Sequence, residues 1–268
     1  MDVGRRISAI APDGLFWTGA GPIGPFHMLA IQAGGGYWEK GNKLSINHPA
    51  NARAMQYLVD MTSRFKAASL ESGTLRVESI NAGRVAADLG PAWKIVGGLQ
   101  TSAPDTAGKW MVQPMPQWSA SGTSGAGSGV TTSQGGTGMA VLKASRHREV
   151  GVDFVVWEHG SKAVLHDFVL RQTWPTYKKV YDDPRMSEPV PWFNNQKFGQ
   201  VVKDAANSML PFYQGVWWPE LSTAAGKHIM AGLRGEKPVR QALDEAQNET
   251  RAAIEAAGGK IEPDGTLR

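Results

Sequence analysis

Ten tryptophans in 268 residues, against five tyrosines, put an excess of large flat rings into this chain. Two of them, Trp217 and Trp218, stand side by side in QGVWWPEL. Neighbours on a helix point about 100° apart, so adjacent indoles serve two different surfaces. With Pro219 opening a helix, at least one of the rings belongs at a lip or loop. Trp17, Trp93, Trp217 and Trp218 all fall at joints between elements, whereas Trp157 lies on the apolar face of a helix. A core role is the default for one tryptophan; several at element ends point toward a cleft. Aromatic walls with a few polar groups are the composition of ligand pockets. Flat rings suit the apolar faces of sugars, whose hydroxyls need amide or carboxylate partners.

Other chemistries lack their spacing. The six histidines (His27, His48, His147, His159, His166 and His228) are dispersed with no H-x-x-x-H or H-E-x-x-H pattern, so no metal site is assigned. Asp88, Asp153, Glu158 and Glu220 are available carboxylates, but nothing pairs any two of them as glycoside hydrolysis requires. There is no G-x-S-x-G elbow, and the absence of cysteine removes disulfides and thiolate chemistry. No catalytic residue and no cofactor is assigned. GGTG at 135–138 precedes a strand, the wrong order for a dinucleotide fingerprint or P-loop. It reads either as a bare linker or as a crossover between lobes with backbone amides near a ligand. A net charge of +4 is mild, and KASRHRE (143–149) reads as a solvated helix start, so no nucleic acid partner is implied.

The elements that must position these residues follow from periodicity. At 41% hydrophobic and 19% charged residues the chain is globular, and no apolar run is long enough to span a membrane. A Gly/Pro/aromatic opening with a short strand leads to an apolar helix, FHMLAIQA, stopped by glycines. A hairpin turns at residues 40–42. A helix follows from Pro49, with Ala54, Leu58, Met61 and Phe65 as its inner face. RVAADL (84–89) reads as a buried strand, Trp93 opens a helix after the Gly90, Pro91 turn, and KWMVQPMP (109–116) reads as a strand. Residues 117–138 form a Gly/Ser/Thr loop. GMAVLKAS (138–145) reads as a buried strand, and 146–160 as a helix with Val150, Phe154 and Trp157 on one face. Helices are expected at 197–209, 219–233 and 238–257. The last carries an inner stripe of Val239, Ala242, Leu243, Ala246, Ala253 and Ile254. The fold class is α/β and helix-rich, without an internal repeat.

The ordered set GNKLSINHPANARAMQYLVDM, NAGRVAADLGPAWKIVGGL, QPMPQ, GGTGMAVLKASRHREVGVDFVVW and MAGLRGEKPVRQALDEAQNET resembles extracellular solute-binding proteins of the carbohydrate ABC-importer type, the group containing maltose-binding protein. The resemblance covers nearly the whole chain. It implies a periplasmic-binding-protein-like type II fold, two α/β lobes closing on a sugar. By that pattern residues 1–128 and 182–268 build the second lobe, and 129–181 cross into a partial first lobe. The family's opening portion has no counterpart here, nor is a signal or lipid anchor seen, which implies a carboxy-terminal piece of a longer protein. The faces MAVL and VDFVVW would then stay partly exposed, and sugar binding by the chain alone would be weak or absent.

The same resemblance suggests ligand contacts. GPAW places Trp93 at the cleft, GPIGPFH offers Ile23, Phe26 and His27, and QGGTG offers Gln134, Gly135 and Gly136. WWPEL offers Trp218 as the ring facing ligand, with Trp217 packing or covering the edge. It implies a non-enzymatic, extracytoplasmic protein, periplasmic or lipid-anchored at the cell surface, whose partners are a carbohydrate and the transmembrane subunits of an ABC permease. A carbohydrate-active enzyme, or an adhesion module using the same aromatic edges, are the alternatives.

Overall fold

The computed structural model describes residues 6, 9, 15–17, 24–70, 74–94, 98–118, 131–132, 138–171, 174–211 and 213–268. Two compact units emerge. The first comprises residues 1–89, 115–134 and 208–268; the second comprises 90–114 and 135–207. Residues 90–114 and 182–207, assigned from the sequence to second-lobe parts, pack with 135–181 here. No helix among the described residues is long and apolar enough to cross a membrane.

The first unit is built round helix α1 (Pro25–Gln32), every residue of which is buried. The sequence PFHMLAIQ carries no formal charge and so can be enclosed on all sides. Strands β1 (Leu15–Trp17), β4 (Ala68–Ser69) and β5 (Val85–Asp88) make a parallel sheet in the order β4, β1, β5. Between β1 and β4 in the chain, β2 (Trp38–Glu39) and β3 (Lys43–Leu44) pair antiparallel. Their turn falls at residues 40–42 as the sequence indicates, with Gly41 and Asn42 at positive φ.

Helix α2 (Pro49–Val59) begins where His48 Nδ1 accepts from the Ala50 N–H at 3.2 Å, with Pro49 in the first turn. Ala54, Leu58 and Met61 are buried as their spacing predicts, but Phe65 is only half-buried. Residues Asp60–Arg64 widen into a π-turn, and Phe65 N–H reaches back to Asp60 O. That extra residue per turn rotates Phe65 off the inner face. Helix α3 (Thr74–Asn81) then leads into β5. Only Val85 of β5 is buried, so this strand is less enclosed than RVAADL suggested.

Helices α8 (Trp218–Leu233) and α9 (Val239–Ala256) pack along one another and close the core of this unit. Ala242, Leu243, Ala246 and Ile254 are buried as expected, together with Thr250, which the apolar pattern alone does not pick out. Gln247 of α9 clamps the hairpin: its side chain accepts from Ile46 N–H at 2.8 Å and donates to Leu44 O at 3.1 Å. Strands β6 (Thr131–Thr132) and β7 (Met209–Leu210) pair in parallel; β7 falls where the sequence indicates the end of a helix.

The second unit gathers Val112, Val164, Leu165, Phe168, Val180, Tyr181, Met186, Phe193 and Phe198 into one core. Its helices are α4 (Leu99–Ser102), α5 (Arg148–Gly160), α6 (Leu165–Arg171) and α7 (Phe198–Asn207). Short 3-10 turns at Pro184–Ser187 and Pro191–Phe193 follow the prolines. Two expected strands are absent. Residues 109–116 run without strand pairing because the Gln196 side chain takes the place of a neighbouring strand. Val112 N–H donates to Gln196 Oε1 at 2.7 Å, and Gln196 Nε2 donates to Val112 O at 2.8 Å. Residues 138–145 are also not a strand: no described strand pairs with them, and Met139 and Leu142 are exposed. Helix α5 buries none of its side chains; Val150, Phe154 and Trp157 are all exposed. That agrees with the exposure expected for MAVL and VDFVVW.

Candidate functional site

The aromatic cluster at the start of α8 grows from the elements around it. The hairpin of β2 and β3 carries Tyr37, and Asn51 of α2 fixes that hairpin. Gly36 N–H donates to Asn51 Oδ1 at 2.8 Å, while Asn51 Nδ2 lies within donating distance of Gly36 O, Ser45 O and Ile46 O at 2.8, 3.1 and 2.9 Å. Asn51 is fully buried, so these partners satisfy an amide that would otherwise be costly to enclose. Tyr37 is thereby held against α1, where its ring stacks on His27 with centroids 4.3 Å apart and planes 5° apart.

Burial dictates the charge state of this stack. His27 is 1% exposed, and desolvation lowers its pKa from 6.5 to about 4, so the imidazole is neutral at pH 7. Burial likewise pushes the Tyr37 phenol well above 10. Trp218 leans on both rings, its centroid 6.2 Å from His27 and 6.1 Å from Tyr37, with tilts of 37° and 42°. Phe26 lies 6.2 Å from Tyr37 on the inner side. Trp218 is half-buried, against 1% exposure for His27, Tyr37 and Phe26.

The residues singled out from the sequence do not all come together. Trp217 and Trp218 are both half-buried against the core of the first unit. Phe26 and His27 are also there, but each is 1% exposed, which leaves neither with a face turned outward. Trp93 belongs to the second unit, in a helical turn, and is 60% exposed. Ile23, Gln134, Gly135 and Gly136 lie outside the described residues. Tyr37 carries no signal of a site role in the sequence, although GYW places a second ring beside Trp38. Its partnership with His27 depends on two segments meeting and has no sequence signal.

A second aromatic group in the same unit joins Trp118, Tyr57 and Arg53. Arg53 Cζ stands 4.5 Å over the Trp118 ring, Tyr57 meets it edge-on at 5.4 Å, and Trp118 Nε1 donates to Leu29 O at 3.1 Å. Among the carboxylates, Asp88 is ion-paired with Arg76, its side chain only 3% exposed. Among the described residues no group of three or more histidines and carboxylates could hold a metal ion. An open groove of about 410 Å³ is lined by Thr62, Ser63, Lys66, Ser69, Leu233 and Arg234 among others, and includes none of the tryptophans.

Residues 9–158 match the model of a family described as bacterial extracellular solute-binding protein. An arabinooligosaccharide-binding protein of Bacillus subtilis (strain 168) is 27% identical over 238 residues, 84% of this chain and 53% of that protein. A lactose-binding protein of Rhizobium radiobacter is 22% identical over 258 residues, 95% of this chain and 59% of its own length. Among solved structures, the ABC transporter associated binding protein of B. animalis subsp. lactis Bl-04 in complex with β-1,6-galactobiose is similar with a TM-score of 0.79 at 19% identity. The match covers 96% of this chain and 65% of that one. The galacto-N-biose/lacto-N-biose I-binding protein of Bifidobacterium longum follows at 0.69 and 20%, covering 96% and 62%. These likenesses establish the fold as α/β, helix-rich and periplasmic-binding-protein-like of type II. The chain spans about half the length of the curated relatives it matches.

Proposed function

The chain belongs to the bacterial extracellular solute-binding protein family, and on that premise we propose that it serves as the substrate-binding component of an ABC importer. It takes a sugar or oligosaccharide outside the cytoplasm, holds it unaltered, and delivers it to the transmembrane subunits of a permease. The observation that carries this reading is the neutral stack of His27 on Tyr37 with the half-buried Trp218 leaning on it. Indole faces bind carbohydrate through apolar contact, and among the described residues no group of histidines and carboxylates could hold a metal ion. The arabinooligosaccharide- and lactose-binding relatives favour an oligosaccharide over a monosaccharide. Trp93 of the second unit, 60% exposed, is proposed on its own account as a ligand contact.

The test is a titration with mono- and oligosaccharides, including arabino-oligosaccharides, lactose and β-1,6-galactobiose, read by tryptophan fluorescence and calorimetry. The expected result for the chain alone is at most weak binding of an oligosaccharide, weakened further by Trp218→Ala and, in a separate measurement, by Trp93→Ala, with the sugar recovered intact. Loss of one stacking indole should weaken binding about tenfold, equivalent to about 1.4 kcal/mol. Binding that neither replacement alters, or recovery of cleaved products, overturns the reading.

A further inference from the structure

The loop that delivers Trp217 and Trp218 to α8 is pinned by two glycines whose role is not conformational. Neither Gly215 nor Gly259 has a positive φ, so alanine could adopt either backbone. The space does not allow it. A β-carbon on Gly215 would stand 2.8 Å from Trp38 Cε2 and 3.1 Å from Cδ2 and Cζ2. Trp38 has little room to yield, because it is 3% exposed and its backbone is paired with Leu44 in the hairpin. The chain at Gly215 therefore lies directly on an indole.

Two residues further on, Trp217 meets the second glycine. A β-carbon on Gly259 would come 2.9 Å from Trp217 Cζ2 and would also run into the Ile254 side chain. Gly259 is itself fixed, since its N–H donates to Ile254 O at 2.9 Å and closes α9 after Gly258 at φ +93. The backbone before Trp217 and the ring of Trp217 are thus each seated on a place where a side chain is missing. Between these seats and the stack of His27 on Tyr37, the exit direction of Trp218 has little freedom.

We propose that Gly215 and Gly259 are positioning residues for ligand recognition: they set the plane of the Trp218 indole without touching ligand. This rests on the carbohydrate reading above. Its consequence is that affinity depends on two residues whose own surface contributes nothing to the contact. A recognition platform misplaced by a fraction of an ångström loses its complementarity while the fold survives.

The test uses the full chain labelled with 5-fluorotryptophan, with the Trp38, Trp217 and Trp218 resonances assigned by single Trp→Phe replacements. Gly215→Ala and Gly259→Ala are compared with Gly138→Ala, where an added β-carbon meets nothing within 4 Å. Without ligand, both variants should shift the Trp217 and Trp218 resonances, leave Trp174 of the second unit in place, and unfold cooperatively. Affinity for the sugar that wild type binds should fall by about tenfold or more. Trp38→Phe, combined with Gly215→Ala, should return resonances and affinity toward those of Trp38→Phe alone, because a smaller ring makes room for the methyl group. Unmoved resonances, moved resonances with unchanged affinity, a folded double variant without rescue, or unfolding of both single variants would each overturn the proposal. If the chain alone binds no sugar, the ligand-free shifts and their rescue still decide whether the glycines place the indoles.

Discussion

The imidazole of His27 lies flat on the phenol ring of Tyr37, 4.3 Å between centroids and 5° between planes, with both residues 1% exposed. Folding holds His27 neutral, its pKa lowered from 6.5 to about 4 by desolvation. Below pH 6.5 the unfolded chain binds a proton at this position that the folded chain refuses. The contribution is therefore fully present above pH 6.5 and is lost as pH falls from 6.5 toward 4. Its full size is about 3 kcal/mol. Urea midpoints measured across that window should fall with acidity, and His27→Phe, which keeps a ring against Tyr37, should flatten the decline. Glu245, held to about 2 chiefly by its hydrogen bond from Lys237, begins to lose its contribution near pH 4.5, at the acid end of this window, and goes on losing it toward pH 2, so the slope is read above pH 5. An unchanged slope in His27→Phe would place the acid sensitivity elsewhere.

Asn51 ties the hairpin to α2 through Gly36, Ser45 and Ile46. Replacement by leucine keeps most of the volume and removes every polar partner. The backbone groups left unsatisfied should cost about 3 kcal/mol, seen as a lower urea midpoint. The same variant should shift the Tyr37 ring signals in NMR spectra, because the hairpin positions that ring.

In the second unit, Gln196→Leu removes both bonds to Val112. The expected loss is about 1–3 kcal/mol, confined to that unit. Hydrogen exchange at the Val112 amide should accelerate while exchange at α9 amides stays at its wild-type rate. Equal acceleration in both places would mean that the two units unfold together.

The apolar face of α5 makes a separate prediction. Phe154 and Trp157 are 50% and 57% exposed, with rings 5.9 Å apart, and no side chain of this helix is buried. An exposed patch of this kind binds apolar dyes. Phe154→Ser with Trp157→Ser should sharply reduce dye fluorescence and leave the urea midpoint within about 1 kcal/mol of wild type. A large destabilisation would show that the face is packed in solution.

Local chemistry determined much of the first unit without reference to the rest of the chain. Pro49 and the spacing of Ala54, Leu58 and Met61 announce α2, and the stripe from Ala242 to Ile254 announces α9, because a helix needs only its own period and one apolar face. The turn at residues 40–42 is equally local, since Gly41 and Asn42 tolerate left-handed backbone. The excess of tryptophan and its placement at element ends pointed to indole faces as the candidate site. Tertiary structure alone decided which rings stay accessible. Phe26 and His27 are among the contacts that the resemblance implies, yet lie inside because α1 is enclosed on every side. Tyr37 enters the cluster because nearby Ser45 and Asn51, together with Gln247 from the other end of the chain, fix its hairpin. The two apolar runs at 109–116 and 138–145 had strand composition but no ladder, since a strand exists only when another backbone supplies its hydrogen bonds. For residues 109–116 the Gln196 side chain occupies that role, and no feature of the run itself reveals it.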